Sequence, residues 1–339
     1  MASGNESYGT SFGPRPSKMV NDLVLTIFVI GFFVIILGAI SLSGIVTNVI
    51  NLIVFIRQGF KDNVNISLFS LAISDIGALL PLLWVSIGFN PLFVNSDLPF
   101  DTVEVLHLTS GWPHICFARI SGWITAFIML ERCLCIAVPL KVKTMITVKR
   151  IVIVLVSIYV AMIGALLPVF YALRLEPRYS PLKNETKFRM VYIPNGFAIE
   201  SAVFLINAFS QLITFSMVII CSTILVQNLI SKSKWRKSTS SSGDHDSFSN
   251  RDKKVVKLVL FIAIIFIVCL FPSVINFIAQ SLEPEYTASG KYGDLYLLTW
   301  SFSVSLSATN SAVNIFVYYN MSSKYKQILD EMLLRRSKG

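Results

Sequence analysis

Long apolar segments alternate with short polar ones along this chain. Six of these segments are long and strongly apolar, and they lie near residues 24–56, 66–90, 151–173, 198–230, 255–281 and 295–319. A helix needs about 20 mostly apolar residues to cross the hydrocarbon core of a bilayer. Each segment is long enough, so the pattern predicts six membrane-spanning helices.

A seventh span is predicted where the pattern is weaker. Residues 104–138 carry several ionisable side chains, among them His107, His114, Arg119, Glu131 and Arg132. Ionisable residues in a membrane helix normally face the interior of the bundle and carry function. We therefore interpret 104–138 as a polar-faced third helix, because this also places every flanking loop consistently. The predicted fold class is all-α, a seven-transmembrane helix bundle.

The segment after the last span has the period of an amphipathic helix. Its apolar residues share one helical face: Tyr325, Ile328, Leu329, Met332 and Leu333. With basic neighbours, such a C-terminal helix is expected to lie along the inner membrane surface. The predicted organisation is an extracellular tail (1–22), a seven-span domain (23–320) with a flexible Ser-rich inner loop (231–253), and the surface helix with a short cytoplasmic tail (321–339).

Composition and charge then fix the orientation. The chain of 339 residues is 54% hydrophobic and 14% charged, with a formal net charge of +10. Most lysines and arginines fall in alternate loops, which are predicted to be cytoplasmic, so the N-terminus is expected outside. Two glycosylation sequons, at Asn5 and Asn184, fall on that outer side. The positive charge therefore indicates contact with the lipids of the inner leaflet and not with nucleic acid.

Short motifs on five of the predicted helices carry a family resemblance. They are Gly44-Ile45-Val46-Thr47-Asn48, Leu71-Ala72-Ile73-Ser74-Asp75, Glu131-Arg132-Cys133, Cys269-Leu270-Phe271-Pro272 and Asn314-Ile315-Phe316-Val317-Tyr318. In this order the chain resembles rhodopsin-like (class A) G-protein-coupled receptors over residues 24–334. Stretches around Trp112–Ile120 and Val313–Tyr319 look more narrowly like molluscan chemosensory receptors, which are similar to invertebrate neuropeptide receptors. The resemblance implies a plasma-membrane receptor.

The expected function is transduction of an extracellular chemical signal to a heterotrimeric G protein, with a chemosensory ligand. A neuropeptide receptor is the alternative, and a membrane transporter is the rival from another class. Internal repeats typical of transporters do not appear. The sequence contains no paired nucleophile and base, so an enzyme is not predicted. Arrestin and a kinase are further possible partners at the Ser-rich inner loop.

The sequence also departs from the family pattern. His107 stands where the family has its extracellular disulfide cysteine, and the second outer loop, about 174–197, contains no cysteine either. All five cysteines fall in or at the ends of apolar spans, so we expect no extracellular disulfide. Leu270 replaces the family's tryptophan in the sixth helix, and Ile315 replaces the proline in the seventh.

A buried carboxylate is predicted at the centre of the bundle. An ionised Asp75 in the membrane interior is costly unless it is paired, hydrated or protonated. By the family pattern, Asn48, Ser121, Asn310, Ser311 and Asn314 converge on it. These oxygen-bearing side chains could hold a structural sodium ion, the one cofactor considered. A hydrated polar network without a specific ion is the alternative.

The outer half of the bundle is the candidate ligand site. By the family pattern it is lined by Trp84, His114, Phe117, Ala118, Glu200, Asn207, Gln211, Leu270, Ser273, Phe277, Trp300, Val304 and Ser307. His114 stands where amine receptors have an aspartate, which disfavours amine ligands; a bonded role within the bundle is its alternative. Arg119 points towards the fifth helix, where Asn207 and Gln211 are candidate partners, and either a structural or a ligand-contacting role is open.

The cytoplasmic end carries the predicted switch. At 100° per residue, His114, Ser121 and Arg132 share one face of the third helix. Arg132 can pair with Glu131 and, by the family pattern, with Asp252 at the inner end of the sixth helix. Breaking that restraint is expected to let the sixth helix swing outwards for the G protein. The other predicted members of the switch are Pro272, Asn314 and Tyr318.

Overall fold

A computed structural model describes residues 21–94, 96–137, 146–180, 185–238, 250–287 and 290–336. Long helices account for most of this part of the chain. The first four are α1 (Asp22–Val29, a π-helical stretch Ile30–Ile36 and Leu37–Gln58), α2 (Asn63–Gly88), α3 (Thr102–Leu106, a π-helical turn His107–Gly111 and Trp112–Ala137) and α4 (Val148–Ala172). A single helical turn, Pro91–Val94, lies between α2 and α3.

The second half of the chain begins with two strands, β1 (Leu173–Ser180) and β2 (Glu185–Tyr192). The helices that follow are α5 (Gly196–Ser238), α6 (Asn250–Leu282), α7 (Gly293–Ala312 and Asn314–Met321) and α8 (Ser323–Arg336). The described residues thus form a bundle of seven helices followed by a shorter one. This is the predicted all-α architecture.

α3 lies at the centre of the bundle and contacts α2, α4, α5 and α6. Its inward positions Ile120, Ile124 and Ile128 are almost completely buried, together with Leu71 of α2 and Phe266 of α6. Large apolar side chains are exposed on the outside of the bundle instead, including Val160, Leu167, Ile220 and Val268. An apolar core surrounded by an apolar exterior is what a helix bundle in a lipid solvent requires.

Six helices within the described ranges are long and apolar enough to cross a membrane: α1 to α6. The sequence pattern predicted α3 to be the least apolar span. In the structure α3 is long and apolar enough to cross a membrane, whereas α7 is not. Serines explain the difference, because Ser301, Ser303, Ser305, Ser307 and Ser311 of α7 are buried although they are polar. α7 is also interrupted at Val313, which leaves its first segment 20 residues long.

The second outer loop folds as a β-hairpin, which the sequence pattern did not predict. β1 and β2 pair antiparallel from Leu173 opposite Tyr192 to Ser180 opposite Glu185. The hairpin is attached to the start of α3, since Phe188 exchanges backbone hydrogen bonds with Pro99 and Asp101. The backbone amide of Met190 also donates to Glu104 Oε2 at 2.6 Å.

The cytoplasmic elements differ in extent from the prediction. The inner loop was predicted over 231–253, whereas α5 continues to Ser238 and α6 begins at Asn250. α8 begins at Ser323, and its predicted apolar face is only partly covered by the bundle. Tyr325 and Leu329 are buried, whereas Leu333 is exposed, so the end of α8 offers an apolar surface to the membrane.

Candidate functional site

A polar cluster joins the outer ends of α3 and α5 to the hairpin, and we call it the outer polar cluster: His107, Trp112, Tyr192 and Glu200. The Glu200 carboxylate accepts hydrogen bonds from His107 Nε2 at 2.7 Å and from Trp112 Nε1 at 3.0 Å. Its second oxygen accepts from the Tyr192 hydroxyl at 2.5 Å. One buried carboxylate therefore holds together residues from three elements.

The outer polar cluster lies where the resemblance to rhodopsin-like receptors implies a disulfide. His107 occupies the position of the family's cysteine on α3, and Tyr192 ends the loop that would supply the other cysteine. Burial, and next the contact with Glu200, raises the pKa of the Tyr192 hydroxyl, which therefore remains a proton donor at neutral pH. The sequence showed only that both cysteines of the family's disulfide are missing. The pairing of His107 with Glu200 was missed, because nothing local connects residues so far apart.

An aromatic wall lies deeper in the outer half of the bundle. Phe277 of α6 packs edge-on against Trp300 of α7, with ring centroids 5.1 Å apart, and against Phe204 of α5 at 5.4 Å. The guanidinium carbon of Arg119 lies 5.4 Å from the centre of the Phe277 ring. Four helices thus contribute to one continuous set of contacts, which includes the predicted residues Phe277 and Trp300.

The other predicted ligand residues are not all brought together. His114 is buried and its Nδ1 donates to the Ala78 carbonyl at 3.0 Å. A hydrogen bond within the bundle was the predicted alternative to contact with a ligand. Asn207 donates its Nδ2 to Val203 of its own helix at 2.9 Å, and no hydrogen bond joins it to Arg119 among the described contacts. Val304 packs instead against the smaller apolar cluster of α1 and α2 that includes Leu79.

Three further predicted ligand residues lie beside these contacts, but their side chains form no described hydrogen bond. Phe117 is half-buried and closes on Gly77, where a Cβ would lie 2.3 Å from the phenyl ring. Ala118 is half-buried beside Arg119, and Ser273 is buried one turn inwards from Phe277 on α6. The close approach of α2 and α3 therefore depends on glycine at residue 77.

The predicted central carboxylate has three of its five expected neighbours. Asp75 is 1% exposed, and its two oxygens accept hydrogen bonds from Ser121 Oγ at 2.7 Å and from Asn314 Nδ2 at 2.9 Å. Ser311 also donates to the carboxylate. The contacts join α2, α3 and α7 at mid-bundle, and the donors satisfy a charge that would otherwise be costly to bury.

A second chain of hydrogen bonds leads from this carboxylate towards α8. Asn48 does not contact Asp75 directly but donates to the Ser311 carbonyl at 2.7 Å. Asn51 donates to Asn48 at 3.1 Å, and the Tyr325 hydroxyl of α8 donates to Asn51 at 2.5 Å. The contribution of Tyr325 was not predicted, because its position suggested only an apolar face.

Oxygen atoms of Asp75, Ser121 and Ser311 fit a small monovalent cation, since hard cations prefer oxygen ligands. Asn314 turns its amide nitrogen, not its oxygen, towards Asp75. Asn310 is only half-buried and has no hydrogen bond to the carboxylate among the described contacts. Within the described residues no cluster of three His, Cys, Asp or Glu side chains occurs, and the sodium ion at Asp75 stays a prediction.

Asp75→Asn is expected to abolish the stabilisation of the protein by sodium. The substitution removes the full negative charge but leaves an oxygen for Ser121, so the bundle should still fold. Thermal stability of the purified protein in sodium chloride and in choline chloride measures the effect. The wild type should be stabilised by sodium and the variant should not; equal stabilisation of both would rule out Asp75 as the ion ligand.

The predicted switch residues Glu131, Arg132 and Tyr318 lie at the end of the bundle that is predicted to be cytoplasmic, whereas Asn314 lies at mid-bundle and Pro272 further along α6. Arg132 Nη2 pairs with Glu131 Oε1 at 2.5 Å, and Glu131 is almost fully buried. Tyr318 is buried against the rings of Phe55 and Tyr325. Pro272 lies inside α6, where it removes one backbone hydrogen bond and favours a bend.

Some predicted residues lie outside the described part of the molecule. Asp252 belongs to α6, but its side chain lies outside the described residues, so its pairing with Arg132 stays a prediction. The sequons at Asn5 and Asn184 also lie outside the described residues. All five cysteines are described, and each is a free thiol within a helix.

Comparison with known proteins agrees with this geometry. The sequence model of the family "Serpentine type 7TM GPCR chemoreceptor Srw" matches residues 35–336. The chain is 23% identical over 303 residues to growth hormone secretagogue receptor type 1 of Sus scrofa, covering 87% of this chain and 78% of that protein. The human receptor of the same name gives the same identity and coverage.

A nematode protein gives a similar match. The chain is 22% identical over 314 residues to the galanin-like G-protein coupled receptor npr-9 of Caenorhabditis elegans, covering 86% of this chain and 70% of that protein. All of these relatives are receptors of the rhodopsin-like class, as the sequence motifs indicated. The resemblance to the rhodopsin-like receptors is therefore confirmed.

Proposed function

Because the chain belongs to the serpentine type 7TM GPCR chemoreceptor family Srw, it is a multi-pass G-protein-coupled receptor, and we propose that its ligand is a chemosensory compound bound in the outer half of the bundle. In this proposal the ligand contacts the aromatic wall formed by Phe277, Trp300 and Phe204. The N-terminus and the hairpin face the outside, and Arg132 faces the G protein inside.

The position of Arg132 is the observation that best supports coupling to a G protein. Arg132 lines a cytoplasmic cavity of about 920 Å³ together with Tyr318, Tyr325 and Lys254. The cavity is lined by the ends of α1, α2, α3, α6, α7 and α8, so a displacement of α6 would widen it. Arg132 itself is held by Glu131 and only partly exposed, so the closed arrangement limits its access to a partner.

α6 is the element that we propose to move. Near its cytoplasmic end Lys254 donates to Ser323 of α8 at 3.3 Å, an exposed contact. Exposed contacts of this kind contribute only about 0–1 kcal/mol, so they bias α6 without locking it. Asp252, two residues earlier on α6, is proposed to pair with Arg132 and to add to this bias. Pro272 supplies the bend about which the inner half of α6 can swing.

The named relatives favour a second candidate ligand class. The secretagogue and galanin-like receptors carry peptide-signalling names, so a neuropeptide is the alternative to a small chemosensory compound. The hairpin over the outer half of the bundle is compatible with either. Arrestin and a receptor kinase are proposed to act at the Ser-rich inner loop, and a sodium ion at Asp75.

Screening the expressed receptor tests the proposal. We expect second-messenger responses to a panel of small odorant compounds, and we expect Arg132→Ala at matched surface expression to lose them. Arg57→Ala changes an exposed cytoplasmic arginine and should respond like the wild type. Responses to neuropeptides alone would replace the chemosensory ligand with the peptide alternative, and odorant responses that survive Arg132→Ala would contradict the coupling mechanism.

A further inference from the structure

We propose that Arg119, with Gln211 and Trp300, forms a subsite for a carboxylate group of the ligand. The inference rests on the proposed function, since it names the chemistry of a ligand bound in the outer half of the bundle. It concerns a charged residue for which the sequence left both a structural and a ligand-binding role open. The contacts of Arg119 decide between them.

Arg119 is buried without a counterion. The side chain is 5% exposed, and neither Nε nor Nη1 has a hydrogen-bonding partner among the described residues. No acidic side chain forms an ion pair with it in the described ranges, where the ion pairs involve other residues. Its only described contact of note is the Phe277 ring. A buried guanidinium is costly unless it is paired, so this arrangement calls for an anion.

The nearest candidate partners within the protein are already engaged. Glu200, the acidic residue at the outer end of α5, accepts three hydrogen bonds in the outer polar cluster. Asn207, which the sequence suggested as a partner, bonds to the backbone of its own helix. Among the described contacts, neither residue forms a hydrogen bond or ion pair with Arg119, as a purely structural role would require.

Two further donors without partners lie on the neighbouring helices. Gln211 is 2% exposed and its Nε2 has no partner, and the indole Nε1 of Trp300 is buried without one. Trp300 packs against Phe277, which in turn contacts Arg119. Gln211 lies on the same face of α5 as Phe204, which contacts the same phenylalanine.

The balance of these groups indicates the sign and shape of the missing partner. In this region the unpartnered buried atoms are four nitrogens of Arg119, Gln211 and Trp300 and one oxygen, of Gln280. Nitrogen donors around a fixed positive charge complement an acceptor-rich anion. A carboxylate matches the planar guanidinium, and the aromatic wall beside it suits an apolar body. The ligand class is therefore an acid with an apolar part.

Such a carboxylate could belong to a small organic acid or to the free C-terminus of a peptide. The first arm of the test uses straight-chain carboxylates from butanoate to decanoate and phenylacetate, each with its methyl ester. The second arm uses short apolar peptides with a free C-terminus, each with its C-terminal amide. Binding is measured as the rise in melting temperature of the purified receptor, which needs no G protein.

At least one free acid should stabilise the wild type while its ester or amide does not. Arg119→Gln should weaken that binding by about tenfold to a hundredfold, the loss expected for charge-assisted hydrogen bonds. Arg178→Gln, at an exposed arginine of the hairpin, is the matched control and should bind like the wild type. Stabilisation in the first arm alone identifies a small acid, and in the second alone a peptide terminus.

The melting temperature of the ligand-free receptor provides an independent test. Arg119→Met removes a buried charge that has no partner and keeps an apolar side chain of similar length. We expect its melting temperature to equal or exceed that of the wild type; a clear fall would mean that Arg119 has a structural partner and would overturn the proposal. Equal effects of acids and esters, no effect of any acid, or unchanged binding by Arg119→Gln would overturn it too.

These outcomes are distinct from failure of the proposed function. Acids that stabilise the receptor through Arg119 but evoke no signal through Arg132 would leave the subsite intact and contradict the signalling mechanism. Neutral compounds that evoke an Arg132-dependent signal equally in wild type and Arg119→Gln would leave the signalling mechanism intact and contradict the subsite.

Discussion

Replacing Arg132 with alanine is expected to abolish G-protein activation while ligand still binds at the cell surface. The guanidinium is the part of α3 that faces the cytoplasmic cavity, and the substitution leaves the outer half of the bundle untouched. Glu131 loses its partner but lies at the membrane boundary, where the cost can be relieved by protonation. Second-messenger responses and ligand binding, measured at equal surface expression, separate the two effects.

Glu131→Gln is the companion variant for this prediction. It keeps a hydrogen-bond acceptor for Arg132 but removes the charge that holds it, so basal signalling should rise. The expected pattern is therefore opposite in the two variants: loss of signalling without Arg132, and gain of basal signalling without the Glu131 charge. Normal signalling by Arg132→Ala would contradict the mechanism, whereas unchanged basal activity of Glu131→Gln would remove only the role of the pair.

Glu200→Ala is expected to lower the free energy of unfolding by about 3 kcal/mol, the second large effect. The substitution leaves the Tyr192 hydroxyl without its acceptor and Trp112 Nε1 with only a longer contact to His107 Nε2 at 3.2 Å, and a buried polar group without a partner costs about 1–3 kcal/mol. His107 is half-exposed and contributes less than the other two. Thermal unfolding of the purified receptor and its surface expression measure the loss.

Glu176→Ala is the matched control, because Glu176 is an exposed hairpin carboxylate paired with Arg178. Surface substitutions of this kind usually change stability by less than about 0.5 kcal/mol. A non-permeant reductant should leave the wild type as stable as before, since every cysteine is a free thiol within a helix. Equal stability of Glu200→Ala and wild type would show that the outer polar cluster does not replace the disulfide.

The bundle could be predicted from the sequence because each span is a local apolar pattern. The limits of that pattern appear in α3 and α7. The buried serine hydroxyls of α7 lower its apolar character without making it less buried, whereas α3 carries few enough charges to remain apolar enough to cross a membrane. The hairpin was missed because its strands are short and partly exposed, so they lack a continuous apolar run.

The candidate sites were predictable to different extents for the same physical reason. Asp75 and Asn314 belong to motifs with fixed places on their helices, and Ser121 shares a helical face with Arg132, so the three meet as expected. The contacts of Glu200 and of Tyr325 depend on side chains that reach between elements distant in sequence. No local pattern signals such a contact, and only the packed bundle places the partners side by side.

Nucleotide exchange on purified G protein tests the central claim most directly. Receptor in lipid nanodiscs is mixed with heterotrimeric G protein, and GTP uptake is followed with and without a compound that stabilises the receptor. Occupied wild-type receptor should accelerate exchange, and occupied Arg132→Ala receptor should leave it at the rate of G protein alone. An occupied wild-type receptor that accelerates exchange on none of the G-protein classes, or an Arg132→Ala receptor that accelerates it equally, would contradict the account.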